Sequence, residues 1–418
     1  MRRFAIVLGL VCALLGGCEK PSSIPRHGAF GPSAIIVVPG YYGTKLTQVS
    51  DGDLVWVDAW EALFGRRSLR LPLPGLGFDG ALDLQPDGIL QQITVIPWLY
   101  SVEGYGSLIN ALRERVAGAQ VVPLAYDWRL DLMEAVRQLG GVVDDLRQQG
   151  HSRIAIVAHS MGGLVAGYYL RYGTQDPSTA VETWTGAANV SAAILAGVPY
   201  RGSMTQFRNM QYGVTIGLNR TLLEPKAVAS FPAGYYLLPA GSEDVLLTPA
   251  YEPRVGMIRD ARNWGMHEWG LLKEPESLAP AFVDRRLAYT AQWLRRAGRF
   301  SDLLIAAPRV SNPAPVPLLS LFGSGHPTIV TGVLLHNEEG SRLLFDQKQF
   351  REYLPAADPE RVFEDGDGSV TVESSSLPAA YRAAFRVTAR EYRVGHEDLA
   401  ADLDVLDDMV KFLTRPTD

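Results

Sequence analysis

This 418-residue sequence predicts an α/β protein built on a doubly wound, mainly parallel sheet. Three observations lead to that prediction. Short apolar runs rich in β-branched residues alternate with helical patterns along much of the chain. One such run, Ile154 to Ala158, leads through a tight turn directly into a helical pattern. The apolar fraction of 47% is enough to fill a large core.

The strands and helices follow from the apolar periodicity, taken in chain order. Buried strands are predicted at 34–38, 121–125, 154–158, 191–198 and 316–322. Helices are predicted at 106–116, 132–146, from 164 onward, near 283–296, at 346–353 and at 398–413. Because helices separate the strands, parallel pairing is favoured. Gly140 and Gly141 interrupt the helix at 132–146 and predict a kink or close packing there.

Two long intervals interrupt this rhythm within a domain that we expect to span residues 34–418. Residues 44–101 are irregular and rich in Gly, Pro, Leu and Trp, which indicates either a small membrane-engaging excursion or ordinary core packing. Residues 203–315 are too long for a structureless loop, so they predict a cap or lid subdomain.

The N-terminus has the composition of a targeting segment. Two arginines precede an apolar stretch, Phe4 to Leu15, that is too short to span a bilayer as a helix. The ending Leu15-Gly16-Gly17-Cys18 resembles the lipobox of bacterial lipoproteins, although an ordinary secretory signal is the alternative. We therefore predict a signal peptide at 1–17, lipidation of Cys18, and a tether at 18–33. The expected location is the bacterial cell envelope, at the outer membrane rather than the inner.

Composition excludes several classes of partner and site. The net charge is −6 and no block of Lys or Arg exists, so we expect no nucleic-acid partner. Cys12 lies inside the signal peptide and Cys18 is the lipidation site, which leaves no thiol for a disulfide or a metal. We expect neither a metal nor a cofactor.

The stretch from Ile154 to Gly163 has the pattern of a nucleophile elbow, which predicts an α/β-hydrolase. Such a turn lifts the Ser160 oxygen out of the sheet and aims the Met161 N–H at a developing oxyanion. The loop after the first strand would supply a second N–H, from Tyr42 or Tyr41.

The partners of Ser160 are expected later in the chain, in the order acid and then His. Among His326, His336 and His396, the last is favoured because an acid-rich turn precedes it. In that turn Asp367 is the predicted acid, with Asp365 as the alternative. His159 is adjacent to Ser160 on a sharp turn, so its side chain should point away and pack or hydrogen-bond locally.

Several separate blocks resemble the lecithin:cholesterol acyltransferase-like family of lipases and acyltransferases. They are Val38-Pro39-Gly40-Tyr41-Tyr42-Gly43, Trp56-Val57-Asp58, Tyr126-Asp127-Trp128-Arg129, Ala158-His159-Ser160-Met161-Gly162-Gly163, the turn at 322–328, and Gly366-Asp367-Gly368-Ser369-Val370. The resemblance implies Ser160 as nucleophile, Asp367 as acid and His396 as base. It also implies oxyanion donors at Tyr42 and Met161. From the same regions we predict substrate contacts by Trp56, Trp60, Tyr126 and Trp128.

The expected activity is that of a serine acyl-ester hydrolase or acyltransferase, which forms an acyl-enzyme from membrane glycerophospholipid. Two alternatives remain. One is an esterase on soluble or polymeric esters, and the other is a lipid-binding lipoprotein that keeps the fold without catalysis. The family often ties its excursion with a disulfide, and this chain has no cysteine there.

Overall fold

The structure is a computed structural model that describes residues 31–58, 65–78, 82–96, 100–273, 279–313, 315–337 and 340–415. The predictions for the signal peptide, for Cys18 and for most of the tether lie outside these described residues, and so does Trp60. None of the helices in the described ranges has the length and hydropathy that crossing a bilayer requires.

The strands are numbered in chain order. They are β1 (Ala34–Val38), β2 (Thr44–Gln48), β3 (Leu54–Trp56), β4 (Leu84–Ile89), β5 (Gln92–Ile96), β6 (Tyr100–Glu103), β7 (Gln120–Pro123), β8 (Ile154–His159), β9 (Ala192–Ala196), β10 (Val214–Ile216), β11 (Asn219–Leu223), β12 (Val245–Leu247), β13 (Pro253–Val255), β14 (Pro317–Gly323), β15 (His326–Ile329), β16 (Val333–Asn337), β17 (Gly340–Leu344), β18 (Phe363–Gly366) and β19 (Arg386–Tyr392).

The α-helices are numbered in the same way. They are α1 (Gly106–Arg115), α2 (Leu132–Gln148), α3 (Met161–Tyr172), α4 (Thr185–Ala188), α5 (Met204–Tyr212), α6 (Pro225–Ser230), α7 (Pro232–Tyr236), α8 (Ala261–Met266), α9 (Pro280–Ile305), α10 (Gln347–Tyr353), α11 (Val372–Ser375), α12 (Ala379–Ala384) and α13 (Leu403–Thr414).

The central sheet of the described chain has six strands in the order β19-β14-β9-β8-β1-β7, and every neighbouring pair is parallel. Successive residues of a strand face opposite sides of the sheet. In β1, Ile36 therefore packs with α2 and α3 in the larger core, whereas Ile35 packs with α1 and α13 in the smaller one. Helices cover both faces, so the predicted α/β fold with a doubly wound parallel sheet is confirmed.

Residues 44–103 form two antiparallel units outside the central sheet, one ordered β3-β2-β4 and the other pairing β5 with β6. Leu46, Val55 and Trp56 are buried in the larger core. The β3-β2-β4 unit is therefore packed against the body formed by the central sheet, and contact of the excursion with a membrane stays a prediction.

Residues 203–315 contain α5 to α9 and two hairpins, β10–β11 and β12–β13. Strand β12 also pairs with β16, so a sheet ordered β13-β12-β16-β17 joins this region to residues beyond its predicted end. The helical pieces expected near 283–296 are one continuous helix of 26 residues, α9. The guanidinium of Arg296 joins α9 to the hydrolase body, since it lies 2.9 Å from Asp131 and 2.7 Å from Asp176.

Candidate active site

Ser160 lies in the turn between β8 and α3, at the carboxyl edge of the sheet. Its φ of +54° is in the left-handed region, which a residue with a Cβ adopts at some cost in free energy. Gly162 makes the turn possible. A Cβ at this position would lie 2.4 Å from the carbonyl oxygen of Val38 and 2.5 Å from that of Pro39. The elbow therefore packs directly against the end of β1.

The structure brings together three of the residues selected from the sequence. The hydroxyl of Ser160 lies 2.8 Å from Nε2 of His396, and Nδ1 of His396 lies 2.7 Å from Oδ2 of Asp367. The carboxylate accepts a hydrogen bond from Nδ1–H, so Nε2 of the neutral ring is the acceptor that faces the hydroxyl. All three side chains are buried, with at most 9% of any residue exposed.

The predicted alternative acid lies elsewhere in the same turn. Oδ1 of Asp365 accepts a hydrogen bond of 2.6 Å from the N–H of Gly325 at an exposed position. Oδ1 of Asp367, in contrast, accepts from the N–H groups of Ser369 and Val370, at 2.9 and 2.7 Å. Asp367 is thus the acid that the fold directs at His396.

The electrostatics of the pair favour charge separation. Burial disfavours the imidazolium of His396, but the carboxylate of Asp367 and its hydrogen bond outweigh burial and raise the pKa of His396. Burial likewise acts to raise the pKa of Asp367, yet the His396 charge and the two N–H donors lower it below its usual value. The site is therefore built to hold an imidazolium beside a carboxylate, the state that follows proton transfer from a serine.

The loop after β1 has two backbone N–H groups already engaged. The N–H of Gly40 donates to Oη of Tyr105 at 2.6 Å, and that of Gly43 donates to the carbonyl of Gly40 at 3.1 Å. Tyr41 and Tyr42 supply the other two, and both side chains line the pocket beside Ser160. Met161 opens α3, where N–H groups of the first turn have no acceptor within the helix. The geometry keeps both tyrosines as candidate oxyanion donors together with Met161.

Of the aromatic residues predicted to contact substrate, the three that the structure describes lie behind this loop and outside the pocket. Nε1 of Trp56 donates to the carbonyl of Tyr42 at 2.7 Å, Oη of Tyr126 to that of Pro39 at 2.7 Å, and Nε1 of Trp128 to that of Thr44 at 2.9 Å. Buried indole and phenol groups need such partners. In the structure these three residues support the oxyanion loop and do not line the pocket beside Ser160, and their contact with substrate stays a prediction.

A cavity of about 110 Å³ lies beside Ser160 and His396. Its apolar lining is Tyr41, Tyr42, Pro199, Leu237 and Val370, and its polar lining is Ser203, Thr205, Gln206, Asn209, Ser369 and Glu397. The polar wall comes mainly from the start of α5, and the sequence patterns did not indicate that these residues belong to the site. A signal was present, because Ser203 caps α5 and Gln206 follows at the spacing of a capping box.

His159 does not behave as expected from the sequence. Its Nδ1 lies 2.8 Å from Oη of Tyr105, and its Nε2 lies 2.9 Å from the backbone oxygen of His396. Both partners are remote in the chain, so the expectation of local packing is corrected. Burial, followed by the nearby His396, lowers the pKa of His159 to about 3. The ring is therefore neutral at physiological pH.

The chain is similar to known proteins over part of its length. The sequence model of the lecithin:cholesterol acyltransferase family matches residues 103–264, which include Ser160 and α5 and end before Asp367 and His396. An uncharacterized protein of Saccharomyces cerevisiae, YJR098C, is 25% identical over 215 residues, which are 49% of this chain and 29% of that protein. The chain thus spans less than a third of that relative's length.

Several solved structures are similar to this chain. The Tle4–Tli4 complex is 13% identical, with a TM-score of 0.47, over 92% of this chain and 99% of the other. The mature Bacillus licheniformis lipase BlEst2 is 12% identical, with a TM-score of 0.33, over 94% of this chain and 96% of the lipase. Taken with the sheet and the elbow, the comparisons show an α/β-hydrolase fold in which residues 103–264 match the model of the lecithin:cholesterol acyltransferase family.

Proposed function

We propose that the protein is a serine acyl-ester hydrolase or acyltransferase that acts on membrane lipid, with glycerophospholipid as the acyl donor. The observation that carries the proposal is the unbroken hydrogen-bonded series from Ser160 through His396 to Asp367. The family match at residues 103–264 supports acyl transfer as the class of reaction.

In the proposed reaction, Oγ of Ser160 attacks the ester carbonyl while Nε2 of His396 takes the hydroxyl proton. The N–H of Met161, with that of Tyr42 or Tyr41, stabilises the oxyanion. The bond from the carbonyl carbon to the alcohol oxygen then breaks, and His396 returns the proton to the leaving alcohol. Water or an acceptor alcohol attacks the acyl-enzyme next, with His396 again as base, and Ser160 is regenerated.

The test compares wild type with Ser160→Ala on phospholipid vesicles, with and without an added alcohol acceptor. We expect wild type to release fatty acid and lysophospholipid, or to form a new ester with the acceptor, and Ser160→Ala to yield neither. Ser152→Ala, which changes an exposed serine near β8, is the matched control and should keep full activity. Turnover by Ser160→Ala at the wild-type rate would exclude the proposed nucleophile.

A second candidate is an esterase for small soluble esters, and the size of the cavity favours it. An apolar cavity of about 150 Å³ holds one benzene molecule. The cavity of about 110 Å³ beside Ser160 is smaller, so the part of it that is enclosed fits a short acyl group. A series of p-nitrophenyl esters from acetyl to palmitoyl separates the candidates. Turnover of acetyl and butyryl esters with intact vesicles would favour the esterase, whereas vesicle hydrolysis with long chains would favour the lipid enzyme.

We also propose attachment of this enzyme to the bacterial outer membrane through a lipidated Cys18. The support is the lipobox-like sequence Leu15-Gly16-Gly17-Cys18. Metabolic labelling with a fatty acid should mark the wild-type protein and fail to mark Cys18→Ala. Cys12→Ala, within the predicted signal peptide, should still be labelled, and equal labelling of Cys18→Ala would exclude this site.

A further inference from the structure

A series of hydrogen bonds connects the oxyanion loop to the loop that carries His396, behind the catalytic serine. The N–H of Gly40 lies 2.6 Å from Oη of Tyr105, this oxygen lies 2.8 Å from Nδ1 of His159, and Nε2 of His159 lies 2.9 Å from the backbone oxygen of His396. The exposed fractions of Tyr105 and His159 are 5% and 4%, so water does not compete for these bonds.

The direction of every bond in this series follows from the two ends. The backbone oxygen of His396 can only accept, so Nε2 of His159 carries the proton. A neutral imidazole has one N–H, and Nδ1 must then accept from the hydroxyl of Tyr105. The phenol oxygen is left to accept from the N–H of Gly40. Each donor in the series is thus paired with one acceptor.

The series joins four parts of the fold at the carboxyl edge of the sheet. Gly40 follows β1, Tyr105 precedes α1, His159 ends β8, and His396 follows β19. The contacts leave little space for adjustment, because a Cβ at Gly40 would lie 2.8 Å from Cβ of Ser160 and 3.2 Å from Oη of Tyr105. The backbone of His396 is also held from its other side, where its N–H donates to the carbonyl of Asp367 at 2.9 Å.

We propose that Tyr105 and His159 are positioning residues that hold the oxyanion loop and the His396 loop in a fixed relation to Ser160. This inference rests on the proposed function of the same site. Neither residue hydrogen-bonds to the hydroxyl of Ser160 or to the ring nitrogens of His396, although the ring of His159 packs 4.9 Å from that of His396, centroid to centroid. Each acts through backbone groups, Tyr105 through the amide of Gly40 and His159 through the carbonyl of His396. Misplacement of a catalytic group by 1 Å can lower a rate by about 100-fold. We call the series of hydrogen bonds from Gly40 to His396 the brace, and we expect its loss to lower kcat before it weakens substrate binding.

The test uses Tyr105→Phe, which keeps the ring and removes the hydroxyl, and His159→Gln, which removes the imidazole bridge. For each variant we expect kcat to fall by about tenfold or more while KM stays within about twofold. Because both changes break one series, the double variant should be no slower than the slower single variant. Tyr381→Phe is the matched control, since it removes another buried phenol hydrogen bond, of 3.0 Å to the carbonyl of Gly167. It should lose similar thermal stability and keep kcat.

The outcomes distinguish this proposal from the function on which it rests. A kcat within twofold of wild type in both single variants would overturn the brace while Ser160→Ala still lacks activity. Losses in kcat that multiply in the double variant would show two independent effects and would also overturn it. Activity that survives in Ser160→Ala would overturn the proposed function itself, and with it a catalytic role for the brace.

Discussion

Asp367 accepts three hydrogen bonds, and they explain why this acid serves His396. Two come from the N–H groups of Ser369 and Val370 and one from Nδ1 of His396. The sequence favoured Asp367 and kept Asp365 as the alternative, because both acids lie in one glycine-containing turn. The choice depends on the turn at Gly368, whose φ of +88° lets the following N–H groups fold back onto Asp367. Apolar periodicity does not reveal the φ angle of a single glycine.

We expect Asp367→Asn to lower kcat/KM by a factor on the order of 10⁴, because an amide does not stabilise the imidazolium or fix its tautomer. In wild type only neutral His396 can take the serine proton, and its pKa is raised. Activity should therefore be lost as pH falls, along a limb that lies above the ordinary histidine value of about 6.5. Without the carboxylate, the limb should move to lower pH.

The measurement is a pH profile of kcat/KM with a soluble ester. Asp365→Asn is the control, because Asp365 bonds to the N–H of Gly325 at an exposed site, and its profile should match wild type. A limb that stays at the wild-type pH in Asp367→Asn would show that Asp367 does not set the pKa of His396.

At the scale of elements, α2 carries two adjacent glycines with opposite surroundings. A Cβ at Gly140 would lie 2.5 Å from Cγ2 of Thr174 and 3.4 Å from the ring of Tyr169. A Cβ at Gly141 would have no neighbour within 4 Å. Of the two outcomes expected from the sequence, close packing is the one seen, at Gly140 alone.

We expect Gly141→Ala to raise the free energy of unfolding by about 0.5–1 kcal/mol, since alanine loses less backbone entropy and meets no clash. Gly140→Ala should lower it, because Thr174 must move within a packed interior. Urea unfolding midpoints measure both changes. Adding Thr174→Ser, which removes the obstructing methyl group, should recover part of the loss. A double variant as unstable as Gly140→Ala would rule out this contact as the cause.

The strands located most closely from the sequence are buried on both faces. β1 matches its predicted bounds, and β8 and α3 surround Ser160 as expected, since every residue of β1 and β8 is buried. The pattern missed β19, an edge strand in which no residue is buried and polar or charged residues outnumber apolar ones. It also divided α9 into pieces, because only a narrow stripe of that helix faces the core. Apolar periodicity reports burial, so it predicts the bounds of lightly buried elements less well.

At the scale of the whole molecule, a buried ion pair between Arg171 and Glu182 anchors the end of α9. Nε of Arg171, at the end of α3, lies 2.7 Å from Oε1 of Glu182. The same guanidinium donates to the carbonyls of Leu303 and Leu304 at the end of α9. Oε2 of Glu182 accepts from the N–H of Arg309, just beyond α9. The end of α9 is thus fixed to the helix and loop that follow Ser160, through Arg171 and Glu182.

We expect Glu182→Gln to lower the free energy of unfolding by about 3–5 kcal/mol, because it leaves the buried charge of Arg171 uncompensated. Equilibrium denaturation measures the change. Glu134→Gln is the control, since its partner Arg137 is one turn away on the exposed face of α2 and such pairs contribute little. Equal effects of the two substitutions would contradict a structural role for the buried pair.

The insertion between β9 and β14 also has a consequence for biosynthesis. The two strands are neighbours in the sheet, yet about 120 residues separate them in sequence. At roughly 5–20 residues per second, a ribosome needs on the order of ten seconds to make that interval. Throughout this time the edge of β9 that later pairs with β14, at Ile194 and Leu195, has no partner strand. A nascent chain paused between β9 and β14 therefore exposes an apolar strand edge of the kind that aggregates. Avoiding aggregation then depends on chaperones or on early folding of the inserted residues.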